Sequence, residues 1–198
     1  MVGLVGEVDE RFLARLAQSP NVSVARAPAA EPESARPGWQ AGAEAMREAA
    51  RRRSTYVLVP DDPLADVAAT WRAMWDLSGG PGAAAQFEQR AAEALAAWRD
   101  KRFELPDYYL VLAGAAPEGT GPDLYLGPLR AMRPRRVALA ATPGSPAAAD
   151  GPAAQAASLL DTLRGLEHGP WWPPLDELIE AARRFYAGGL TESQLMPA

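Results

Sequence analysis

The stretch Thr55-Tyr56-Val57-Leu58-Val59-Pro60-Asp61-Asp62-Pro63-Leu64 sets a buried strand directly against the start of a helix. Thr55–Val59 is a continuous apolar run and not an alternating one, as a strand covered on both faces requires. Asp62 supplies a short acceptor for an orphan N–H of the next helix, and Pro63 has the fixed φ suited to a first helical turn. The spacing therefore predicts strand, cap and helix over Leu64–Leu77.

The same alternation recurs on either side. Apolar runs at Met1–Val8, Asn21–Ala25, Tyr108–Ala113 and Val137–Ala141 read as further strands. Between them, helical periodicity is expected over Glu10–Gln18, Trp39–Arg53, Ala84–Arg102, Asp123–Met132 and Ala153–Leu166, with a last helix at 175–187. Asp9, Asp123 and Asp150 mark helix starts in the manner of Asp62. Strands alternating with helices predict a parallel sheet with crossover helices. The fold class is α/β: a three-layer sandwich of about five mainly parallel strands with helices on both faces. That pattern resembles the Rossmann-like and flavodoxin-like superfolds, a likeness of architecture that carries no particular function.

A chain of 198 residues suits one domain, 1–198, able to bury roughly 70% of its unfolded surface. One segment breaks the pattern, because two helices separate the third strand from the fourth. Either the fourth strand returns antiparallel, or the region around 63–83, ending in Ser78-Gly79-Gly80-Pro81-Gly82, is a helical excursion or lid.

Composition excludes several chemistries. With no cysteine there is no disulfide, thiolate metal site or cysteine nucleophile. The only histidine is His168 and the only lysine is Lys101, so no phosphate loop of the Gly-Lys-Ser/Thr kind exists. A net charge of −5 disfavours nucleic acid as a partner. No apolar run reaches the roughly 18 residues of a membrane span, and Met1 leads into a strand without a basic leader, so a soluble cytoplasmic protein with no membrane partner is expected.

In an open parallel sheet, ligands bind beyond the carboxyl ends of the strands. Connections leaving strands here are long, at Arg26–Gly38, Gly114–Pro122 and Thr142–Gly151, whereas those returning to strands are short. A small-molecule ligand, nucleotide-like compounds among them, is expected there, with Gly6, Glu7, Asp61, Gly114, Glu118, Thr120, Thr142 and Ser145 as its contacts. Acids gather at this edge, and arginines (Arg51–Arg53, Arg133, Arg135, Arg136) at the other, a division that helix dipoles alone favour.

Two alternatives come from other classes. Glu7, Asp61 and Asp62 are hard oxygen ligands at adjacent strand ends, which would suit Mg²⁺ in a hydrolase or phosphotransfer enzyme. Such a site lacks the lysine that receiver domains carry after the fifth strand, where this chain has Thr142-Pro143. The other alternative is a homodimeric interaction module, a homo-oligomer anchored by Trp171, Trp172 or the tryptophans of the 63–83 region; the competing reading is that Trp171 and Trp172 clamp the last helix to the core.

Overall fold

The computed structural model describes residues 1–6, 10–28, 38–75, 82–113, 123–141 and 151–187. Five strands, β1 (Val2–Val5), β2 (Val22–Val24), β3 (Tyr56–Val59), β4 (Tyr108–Ala113) and β5 (Val137–Ala141), form one sheet in the order β2-β3-β1-β4-β5. Every pairing is parallel. An antiparallel fourth strand is thereby overturned: β4 runs parallel to both β1 and β5. The order differs from the 3-2-1-4-5 and 2-1-3-4-5 arrangements of the two superfolds it resembles, because β3 lies between β2 and β1.

The helices are α1 (Glu10–Leu16), α2 (Gly38–Ala49), α3 (Ala65–Trp75), α4 (Ala83–Arg99), α5 (Arg130–Met132), α6 (Gly151–Arg164) and α7 (Leu175–Ala187). Phe12, Leu13 and Leu16 of α1 share one apolar layer with Leu159 and Leu163 of α6, against Leu4, Leu58 and Leu110. The opposite face is covered by α2, α3, α4 and α7. Only the step from β1 to β2 runs toward the β2 edge, and its helix lies on the first face. Those from β2, β3 and β4 run the other way and use the second face, as a constant crossover hand requires.

The additional helix before β4 is absorbed in that second layer. Trp71 of α3 is fully buried, with its ring 5.7 Å from Phe87 of α4 and 6.1 Å from Phe185 of α7. Segment 63–75 thus contributes to the principal core, through Leu64, Val67 and Trp71.

The expected helix over Asp123–Met132 forms differently. Asp123 does cap it, its Oδ1 accepting the N–H groups of Tyr125 (2.8 Å) and Leu126 (3.2 Å). Pro128 has no N–H to give to Leu124, so Leu129 donates to the Leu124 carbonyl instead, at 3.2 Å. The result is a π-helical turn over Tyr125–Leu129 that runs into the short α5. Gly127 lets this turn approach α7, since a Cβ there would lie 3.0 Å from the Phe185 ring. Among the described residues no helix is long and apolar enough to cross a membrane.

Candidate functional site

The segment that follows β3 ties the layers together. Asp61 Oδ2 accepts the Ala27 N–H at 2.8 Å, which pins the chain leaving β2. Asp66 Oδ2 accepts the Gly38 N–H at 2.9 Å and so caps α2. Between them, Pro63 packs against the backbone of α2 at Gly42, where a Cβ would lie 2.2 Å from the proline nitrogen.

Asp62 turns the other way, into the core. It is 7% exposed, and its Oδ1 accepts the Tyr109 hydroxyl at 2.9 Å while Oδ2 accepts that of Tyr125. It also accepts the Leu64 N–H, as a cap for α3. Burial pushes its carboxyl from 3.8 up to about 6; the bonds from Tyr125, Leu64 and Tyr109 oppose that rise, and nearby Asp123 adds to it. Burial first, then the Asp62 charge, holds both phenols well above their usual range.

Neither tyrosine was singled out by the sequence. The signal is Gly3, a glycine inside an apolar strand run: a Cβ on Gly3 would lie 2.9 Å from the Tyr109 ring. Only the register Gly3↔Tyr109 reveals which ring needs the space.

The carboxylates proposed to share a metal diverge. Asp61 faces the β2 side and Asp62 the interior, where both its oxygens accept hydrogen bonds from phenols. That arrangement does not fit Mg²⁺, and among the described residues no group of three His, Asp or Glu side chains could hold a metal. Glu7, Gly114, Glu118, Thr120, Thr142 and Ser145 lie outside the described residues, as do Asp9 and Asp150, the expected caps. Gly6 is described: it closes β1 with φ of 120°, and a Cβ there would lie 3.2 Å from Leu112. It stands where the chain leaves β1 and β4 in opposite directions, the topological switch point of the sheet.

A groove of about 770 Å³ lies beside the edge strand β2, between α1 and α2. Its volume is within the roughly 300–1,000 Å³ typical of ligand sites. Leu13, Ala14, Ala17 and Val24 give it an apolar wall. Its cations are Arg26, Arg47, Arg51 and Arg52, and its acids are Glu10, Glu44 and Glu48. Arg26 pairs with Glu10, and Glu48 serves both Arg52 (2.7 Å) and Arg51 (3.6 Å). Among the described residues Arg47 bonds only the Ala43 carbonyl, through Nε at 3.2 Å. Sequence reading missed this groove because its residues come from three separated segments with no common motif.

The amino edge is structural. The guanidinium of Arg136 is 6% exposed and donates to the carbonyls of Pro170 (2.5 Å), Asp107 (2.7 Å) and Gly169 (2.8 Å). The two tryptophans differ in burial. Trp172 is buried and donates to the Pro106 carbonyl at 2.7 Å, whereas Trp171 is 56% exposed, with Arg136 over its ring at 4.5 Å. His168 is 3.5 Å from the Tyr108 hydroxyl, with no carboxylate or serine among its contacts in the described residues.

No protein-family model matches the chain, and neither a curated protein nor a solved structure matches it.

Proposed function

We propose that this chain is a small-molecule-binding or regulatory domain, and that the groove beside β2 holds the ligand. The observation that carries this reading is a cavity of about 770 Å³ combining an apolar wall with convergent charged groups. The groove includes Arg26 and Pro28, where the chain leaves β2 at the carboxyl edge of the sheet, the edge on which parallel α/β sheets bind ligands. The metal-dependent alternative has no comparable support, since Asp61 and Asp62 face apart.

The test is a thermal-shift screen of the full chain against metabolites, nucleotides and divalent cations. A ligand that binds only the native state at 100 times its Kd raises stability by roughly 2.7 kcal/mol, well within reach of the method. A shift with one chemical class, lost when Arg47 and Ala17 are replaced by Glu and Trp, is the expected result. The absence of any shift across the panel would overturn the reading.

A further inference from the structure

The backbone of β2 gives the groove a second kind of recognition. In the β2–β3 ladder, Asn21 accepts from Tyr56 and Ala25 donates to Leu58. Main-chain groups alternate along a strand, so those of Asn21, Ser23 and Ala25 turn toward β3, and those of Val24 turn away from it. β2 is the edge of the sheet, and Val24 lines the groove. One N–H donor and one C=O acceptor therefore point outward from this edge strand, unpaired among the described residues, in a groove whose wall includes Leu13 and Ala17.

The charges are placed along the same groove. Arg47, Arg51 and Arg52 of the α2 side face two acids, Glu44 and Glu48, and Glu48 is already shared by two of the arginines. Arg51 follows the end of α2 at Ala49, and its pairing with Glu48 is the looser of the two, 3.6 Å against 2.7 Å for Arg52. The Nη groups of Arg47 make no ion pair among the described residues, which leaves a planar fork suited to phosphate. The chain as a whole carries −5, so this excess of cations is local and not a general property of the surface.

A ligand satisfying all three features has a flat heterocycle with adjacent donor and acceptor atoms, and a phosphate some distance from it. We infer that the groove binds a nucleoside monophosphate, its base edge on the main chain of Val24 and its phosphate on Arg47 and Arg51. The inference rests on the ligand-binding reading above and names the chemical class of that ligand.

Titration calorimetry of the full chain with the four common nucleoside 5′-monophosphates, a matching free nucleoside and inorganic phosphate tests it. One nucleotide should bind at least about tenfold more tightly than its nucleoside or phosphate alone, because both anchors must be engaged. Arg47→Gln with Arg51→Gln should bring that nucleotide to the affinity of its nucleoside while leaving the nucleoside unchanged. Val24→Pro removes an N–H that makes no ladder bond, a change edge strands tolerate, and should weaken nucleoside and nucleotide alike. Arg164→Gln, on α6, should change neither. Nucleotide affinity unaltered by the double arginine change would overturn the inference, as would four nucleotides that bind no better than phosphate. If another compound class from the screen then bound in the groove, the general reading would survive and only the nucleotide assignment would fall.

Discussion

Gly3 and Tyr109 are register partners on β1 and β4, and the phenol ring lies where a Cβ on Gly3 would have to be, 2.9 Å away. The missing side chain lets Tyr109 lie across the central strand and reach Asp62 beyond β3. Gly3→Ala should therefore destabilise the fold through the tyrosine, by about 1–3 kcal/mol as an overpacked core position. The pair is coupled, so Gly3→Ala should cost much less in a Tyr109→Leu background. Urea denaturation of the double-mutant cycle measures this, and simple additivity would refute the close-packing account.

Asp62 makes stability depend on pH in an unusual direction. Its carboxyl is raised from 3.8 to about 6 on folding, so between those values the native state binds more protons than the unfolded chain. Its contribution is therefore most favourable below about pH 4 and is lost as pH rises through 6. The full difference is on the order of 3 kcal/mol, at about 1.4 kcal/mol per pH unit. Other carboxylates act too, so the difference between wild type and Asp62→Asn isolates the group. Relative to the variant, the wild type should lose stability from pH 4 to 7 in urea melts. Tyr125→Phe, which removes a bond favouring the ionised form, should move the midpoint of that loss upward. A difference that stays flat with pH would show that Asp62 is not buried as described.

Gly42 sets two effects of opposite sign against each other. Replacing a helix-interior glycine by alanine ordinarily gains about 1 kcal/mol. Here the new Cβ would meet the Pro63 nitrogen at 2.2 Å, against backbone, with no flexible side chain to yield. The clash should win, and Gly42→Ala should lower the melting temperature by several degrees. It should also disturb the segment after β3 that holds Asp61 and Asp62. A rise in melting temperature would mean that α2 can shift away from Pro63.

Why the sequence revealed some of this and not the rest is a matter of range. Strand and helix limits depend on local periodicity, and Tyr108–Ala113 and Val137–Ala141 lie where the apolar runs place them. Asp62-Pro63 marks a helix start because capping is also local. Pro128 carried its own warning, as a proline inside a helical pattern, and its consequence is the π turn. Strand order and the direction of β4 depend on which strands meet, which no local pattern states. The same holds for Asp62, whose partners are 47 and 63 residues away, and for the groove, built from α1, β2 and α2. Gly6 could be read as a strand-end glycine, while the neighbouring candidates Glu7 and Gly114 fall outside the described residues.

Arg136 and Trp171 form one contact in which the two partners carry unequal weight. The guanidinium spends its donors on three carbonyls, at Pro170, Asp107 and Gly169, and is also 5.3 Å from the Tyr108 ring. Lysine keeps the charge but cannot fork to three acceptors, and the part-buried carbonyls it abandons would lose their protein partner. Arg136→Lys should therefore cost about 2–3 kcal/mol. Trp171 is 56% exposed, so Trp171→Ala forfeits mainly the cation–π contact, worth about 0.5–1 kcal/mol. Urea denaturation of both variants decides the matter, and equal losses would mean that the ring, and not the carbonyl bonds, fixes segment 169–172 to the amino edge of the sheet.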